Sequence, residues 1–234
     1  MPHSCLICRS RAECLFADLD DVWLTELDRM RQISTYPAGV VVVSEGDWPS
    51  GVYSICSGRV KLSILSPAGR GIIIGMATAG DILGVRAVLS GRPHDLTVVT
   101  LERSQLGFIN KNDFLTFLRR NGALSLKLAE KLSHDLYLAY RDIRSVVLKR
   151  SWERLTELLL RFCQRYGQAT PDGIELSINL SQEELAKMIG VSRRTLTRAL
   201  NQLKRRRIIE CRRRSIIVRD RTALEKLLPG DRPF

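Results

Sequence analysis

The chain reads as α+β: an N-terminal antiparallel β-roll, a long dimerisation helix and a C-terminal winged helix-turn-helix. Three patterns predict this order. Between Tyr36 and Ile109, short apolar runs alternate with Gly46, Gly51, Gly58, Gly69, Gly71, Gly75, Gly80 and Gly84, the punctuation of a compact antiparallel barrel or roll. Ala129, Leu132, Leu136, Ala139, Ile143 and Val146 then step by three and four residues, which is a heptad seam. Ser181–Arg207 holds two short capped helices joined at a glycine, the second crowded with arginine.

Residues 1–20 form an arm in which Cys5, Cys8 and Cys14 fall close together. Residues 21–34 read as an amphipathic helix with Trp23, Leu24, Leu27, Met30 and Ile33 on one side. This helix opens the sensor roll, 21–110. The roll draws its strands from Gly39–Val43, Val52–Ile55, Val60–Ile64, Ile72–Ile74, Leu96–Thr100 and Leu106–Ile109. Asn110 or Asn112 caps one long helix, about Asp113–Val147, within the dimerisation segment 111–147. A narrow apolar seam on so long a helix points to a parallel homodimer. The C-terminal region, 148–228, opens with a helix at Lys149–Tyr166 whose Trp152, Leu155, Leu158, Leu159 and Phe162 face inward. A Thr170–Gly173 turn and a strand at Ile174–Ile178 follow.

Ser181 caps the next helix, and Glu184 completes a capping box. Gly190 sits where the chain must turn with positive φ. Ser192 caps the second helix, whose apolar face is Leu196, Ala199, Leu200 and Leu203. Its other face carries Arg193, Arg194, Thr195, Thr197, Arg198, Asn201 and Gln202. With Ser181, Gln182, Ser192 and Lys204, these are the candidate contacts to base edges and phosphates in a major groove. Ile208–Cys211 and Ser215–Val218 flank Arg212, Arg213 and Arg214, a hairpin wing with a basic tip.

Charge distribution supports the same assignment. The net charge is +12; residues 149–234 hold 20 Lys+Arg against 10 Asp+Glu, and the first 148 hold 17 against 15. A basic C-terminal third is the footprint of a polyanion-binding module. Absence of aromatic residues beside the arginines disfavours single-stranded RNA. The expected partners are palindromic double-stranded DNA and a second copy of the chain. No apolar run is long enough to cross a bilayer, and the N-terminus lacks a secretory signal. A cytoplasmic location, no membrane partner and six reduced cysteines are therefore expected. No nucleophile with a paired histidine, phosphate loop or spaced carboxylate pair marks an enzyme.

A glycine-rich roll, dimer helix and winged helix-turn-helix in this order resemble the CRP/FNR superfamily of bacterial transcription regulators, over nearly the whole chain. The matching stretches are Ala38-Gly39-Val40, Glu45-Gly46-Asp47, Val52–Val60, Gly80–Gly84, and the helix-turn-helix through Arg198. The resemblance implies a cyclic-nucleotide-binding-like roll, and RNA polymerase as a further partner. Nucleotide binders of the family place a glutamate after the glycine that matches Gly84, to hold ribose. They also place an Arg-Ser or Arg-Thr pair near the next strand, to hold the cyclic phosphate. Here Val85 and His94-Asp95-Leu96 stand there, an apolar side chain and a carboxylate that would repel phosphate. In the recognition helix the family's glutamate position is Arg194, and its final arginine is Arg198. Arginine cannot accept a hydrogen bond, so half-sites that depart from the family consensus are expected.

Cys5-x2-Cys8-x5-Cys14, followed by Leu15-Phe16, resembles the oxygen-sensing FNR branch. Three thiolates on one short loop can face one iron–sulfur cube, and Arg9 and Arg11 among them would favour the thiolate. The resemblance implies a 4Fe–4S cluster as cofactor, with oxygen or nitric oxide as signal. The branch's fourth cysteine is missing, since Leu106 occupies its position. Cys56, expected to point out of the roll on a strand whose Tyr53 and Ile55 point inward, is the candidate fourth ligand. Asp18, Asp95 or a small molecule are alternatives for that place. Zinc or bare redox thiols are alternatives to the cluster, and an unidentified ligand in the roll is an alternative signal. Haem on His94 is a remote option, and Cys163 and Cys211 read as structural.

Overall fold

The computed structural model describes residues 4–8, 11–65, 71–212 and 215–228. Its contacts divide into two units, Met1–Tyr137 and Leu138–Phe234, taken separately below.

In the first unit, two 3-10 turns at Cys5–Ile7 and Arg11–Glu13 precede α1, Asp21–Met30. Asp20 caps α1 by accepting from the Trp23 amide at 2.9 Å. The strands follow as β1 (Gln32–Tyr36), β2 (Val41–Val43), β3 (Gly51–Ser57), β4 (Arg59–Leu65), β5 (Gly71–Thr78) and β6 (Ile82–Leu83). A short helix α2 (Val85–Ser90), then β7 (Thr97–Thr100) and β8 (Ser104–Asn110), complete the roll. Its two four-stranded sheets are antiparallel, in the orders β1-β8-β3-β6 and β2-β7-β4-β5. Val43, Ile55, Val60, Val98 and Leu106 form the buried interior between them. A second core gathers Leu15, Phe16 and Leu19 of the arm with Leu24 and Leu27 of α1. It continues through α3 (Lys111–Arg120) and the first turns of α4 (Gly122–Leu148), adding Phe114, Phe117, Leu124 and Leu128.

The second unit begins within α4. It continues as α5 (Ser151–Tyr166), β9 (Gly167–Thr170), β10 (Gly173–Leu176), α6 (Gln182–Met188) and α7 (Arg193–Arg205). It closes with β11 (Ile209–Cys211), β12 (Ile216–Val218) and α8 (Arg221–Lys226). The sheet runs β11-β12-β10-β9, all antiparallel. Leu155, Leu158, Leu159 and Phe162 of α5 are buried, and α7 packs on that helix with Leu196, Ala199, Leu200 and Leu203 buried.

Three expectations need correction. The first helix stops at Met30, and Ile33 belongs to β1, whose pairing with β8 overrides the helical spacing. The long helix is two helices: Asn121, with φ −127° and ψ 88°, breaks it. The Asn121 carboxamide accepts from the Leu124 amide at 2.9 Å and so starts α4 as a fresh helix. Finally, β9 adds an unexpected edge strand after α5. Among the described residues, no helix is long and apolar enough to cross a membrane.

Candidate cysteine pocket and nucleic-acid interface

Cys5, Cys8, Cys14 and Cys56 line one pocket, together with Arg11, Phe16, Leu24, Arg31, Ser54, Ile55 and Gly80. Its free volume is about 20 Å³. Cys5 is buried, and the other three are half-buried. Cys56 reaches the pocket through a register slip. Ile55 pairs with Leu106 and Ser57 with Gln105, so Cys56 is the extra residue of a β-bulge. Bulges re-aim side chains at functional edges. Ile55 points into the roll interior, while Ser54 and Cys56 face the arm. Leu106 also lies in the roll interior, 1% exposed, so that position does not face the cysteines. Among the described residues, no three His, Cys, Asp or Glu side chains converge on a point that one metal ion would occupy.

The pocket is charged in a way the sequence did not reveal. Arg11, expected to serve the thiols, donates to the Ala17 and Leu19 carbonyls at 3.4 and 3.0 Å instead. Arg9 lies outside the described residues. The guanidinium at the sulfurs is Arg31, whose Nη1 donates to Cys56 Sγ at 3.7 Å and whose side chain is 6% exposed. Burial pushes the Cys5 thiol up to about 12 against the pull of Arg31, and Asp28 pushes it further. Burial also raises Cys14 and Cys56, with Arg31 opposing in both cases. Metal-free, these three sulfurs therefore favour the protonated form at neutral pH.

The remaining candidates lie elsewhere. Asp18 pairs with Lys127 at 2.5 Å, and Asp95 with Arg86 at 3.1 Å. His94 is buried, its amide donates to the Asp47 carbonyl, and burial lowers its basicity. Val85 is buried in the core under the arm. Cys163 is buried on α5, and Cys211 sits in β11.

The helix-turn-helix has the local chemistry expected of it. Ser181 Oγ accepts from the Glu184 amide at 3.2 Å, and Glu184 Oε2 accepts from the Ser181 amide at 2.9 Å. Gly190 has φ 63°. Ser192 Oγ accepts from the Thr195 amide at 3.2 Å and caps α7. Gln182 accepts from the Thr197 hydroxyl at 3.3 Å, tying α6 to α7. Ser192, Arg193, Arg194, Arg198, Asn201 and Lys204 are exposed, with Thr195 and Thr197 half-buried beside them. In the wing, Arg212 is engaged by Glu210 at 3.1 Å and Asp172 at 2.9 Å, and Arg219 shares Glu210. Arg213 and Arg214 lie outside the described residues. Along α4, Ala129, Leu136, Ala139, Ile143 and Val146 are exposed, with Tyr140 and Val147 beside them, while Leu132 is half-buried against the core. An apolar stripe of this length is unusual on a lone chain.

A cyclic nucleotide-binding domain profile matches residues 33–121, and a Crp-like helix-turn-helix profile matches residues 153–227. The chain is 22% identical over 212 residues to the CRP-like cAMP-activated global transcriptional regulator of Mycobacterium tuberculosis, covering 91% of this chain and 95% of that one. It is 28% identical over 159 residues to the anaerobic regulatory protein of Bacillus subtilis, covering 68% and 67%. The fold superposes on FixK2 from Bradyrhizobium japonicum with a TM-score of 0.76 at 22% identity, over 86% of this chain and 99% of that one. With a β-roll, a long helix and a winged helix-turn-helix in that order, and both halves matched, the chain belongs to the CRP/FNR superfamily of DNA-binding transcription regulators.

Proposed function

We propose that this regulator is a homodimer whose grip on duplex DNA is switched by an iron–sulfur cluster held on Cys5, Cys8, Cys14 and Cys56. The observation that carries the reading is that four thiols from two distant stretches of chain line one pocket. Soft thiolates are the ligands such clusters use. A cube holds its ligands at separate corners, whereas a single zinc draws its sulfurs to about 2.3 Å from one point. By resemblance, the cluster is 4Fe–4S and the signal is oxygen or nitric oxide. The name of the Bacillus subtilis relative, an anaerobic regulatory protein, agrees with that signal.

When bound, the cluster supplies an oxygen-labile link between arm and roll. This chain's own residues supply the rest. Because Cys5, Cys14 and Cys56 favour the protonated state, loading releases protons. Leu15, Phe16 and Leu19 share a core with Leu124 and Leu128, and Asp18 pairs with Lys127, so the arm's position bears on the start of α4. Pairing along the exposed stripe would set two α7 helices on half-sites about 34 Å apart. Differential stability of a few kcal/mol is enough to move most of the population. RNA polymerase is the partner the resemblance implies.

The test is anaerobic purification followed by metal and sulfide analysis. The expected result is about four irons and four sulfides per protomer, with a visible charge-transfer band. Iron-free, colourless protein that binds its operator equally well in air rejects the proposal, and stoichiometric zinc assigns the site to a structural metal.

A further inference from the structure

The N-terminal arm is held by a carboxylate as well as by its apolar core. The Asp28 carboxylate, near the end of α1, accepts from the Ser4 hydroxyl at 2.6 Å and from the Cys5 amide at 2.8 and 3.0 Å. The same carboxylate accepts from Arg31 Nη2 at 2.8 Å. The other arm of that guanidinium reaches Cys56 Sγ. One part-buried ion pair thus touches the arm at one end and the fourth thiol at the other. It also requires a bare neighbour. A Cβ on Gly107 would fall 2.4 and 2.6 Å from the Arg31 stem, so β8 carries glycine where the arginine crosses it. A buried charged group fixed at both ends is costly to leave half-paired. Removing either partner should therefore disturb the other.

We propose that Asp28 and Arg31 are positioning residues: Asp28 is the seat that docks the arm without any cofactor, and Arg31 is the counter-charge for the anionic centre built on the thiolates. The counter-charge role rests on the cluster reading above; the seat does not. Four thiolates bring four negative charges into one pocket, of which a 4Fe–4S core would cancel about two, and a desolvated guanidinium hydrogen-bonded to one sulfur offsets part of the remainder. The seat also explains how Cys5, Cys8 and Cys14 find Cys56 before any metal arrives. The arm is preorganised, so less ordering entropy opposes assembly.

The test uses the full chain in two states, with Asp28→Ala, Arg31→Gln and Arg31→Lys variants. In metal-free protein kept reduced with chelator, hydrogen exchange at the Cys5 amide reads the seat directly. The expected result is at least tenfold faster exchange in Asp28→Ala, with a smaller acceleration in Arg31→Gln. In protein reconstituted anaerobically with ferrous iron and sulfide, iron retained against a chelator reads the counter-charge. Arg31→Gln should lose iron several-fold faster than wild type, and Arg31→Lys, which keeps the charge but not the fork, should recover part of the difference. Wild-type exchange at Cys5 in Asp28→Ala overturns the seat. Equal iron retention in all four proteins overturns the counter-charge. A wild type that takes up no iron overturns the counter-charge and the cluster reading together, while the exchange result still decides the seat.

Discussion

Arg198 lies on the exposed face of α7, one helical turn beyond Arg194, where a side chain can reach a base edge. A bidentate arginine contact to guanine is worth about 1–3 kcal/mol. Arg198→Ala should lose that much specific binding and relax one base position. Lys204→Ala, near the end of the same helix, should instead weaken all sequences alike and lower the salt slope by about 1. Titrations of matched and mutated operators across salt concentrations separate the two roles, and identical salt slopes and specificity would show the assignment to be wrong. The wing carries a different constraint. Glu210 accepts from both Arg212 and Arg219, and these contacts hold its carboxyl below the usual range. Both arginines are thus occupied before DNA arrives. Glu210→Gln should free them, tighten non-specific binding and steepen the salt slope by about 1 for each arginine that gains a phosphate; an unchanged slope would mean that neither faces DNA. Arg207 has φ 57°, the left-handed conformation that closes α7. That geometry costs a non-glycine residue about 1–2 kcal/mol. Arg207→Gly should raise stability by about 0.5–1 kcal/mol in denaturant unfolding, after the entropy glycine adds to the unfolded chain. A lower midpoint would mean that the arginine side chain stabilises more than its backbone costs.

At the level of elements, α4 carries the main consequence. It has 27 residues, about 40 Å of helix, and its outer half exposes Leu136, Ile143 and Val146. Ile143→Glu places a charge in the seam. Sedimentation should then report monomer, and affinity for an inverted repeat should fall roughly 10²–10⁴-fold as bivalency is lost. Iron content should not change. A dimer of unaltered strength would move the interface elsewhere. How far these elements could be read in advance depended on whether their signals were local. The helix-turn-helix was legible because Ser181, Glu184, Gly190 and Ser192 act within one or two turns of each other. The break between α3 and α4 was also written locally, in Asn121-Gly122, but the apolar periodicity running through it hid the stop. β1 looked helical because Ile33 continues the spacing of Leu27 and Met30, and only its pairing with β8 makes it a strand. Cys56 could be placed by strand alternation, though the bulge that makes it the extra residue could not. Arg31 was missed altogether. Its role depends on Gly107, which lies 76 positions later and opposite Ile33.

Across the whole molecule, the cysteine pocket and the helix-turn-helix occupy different units, and α4 is the element common to both. The arm shares a buried core with the first turns of that helix, and the seam lies farther along it. Such an arrangement needs no wire between sites. It needs only two states of α4 pairing, with the arm's position favouring one of them. The size of the coupling is bounded by what binding equilibria of this kind show, about 1–3 kcal/mol, or 5–150-fold in affinity. The most direct measurement titrates one anaerobic sample with its inverted-repeat duplex, admits air until the visible band has gone, and titrates again while dimer fraction is followed. The account predicts that affinity and dimer fraction fall together, in step with the loss of colour and within that range. Undiminished affinity and dimer fraction in the bleached sample would contradict it.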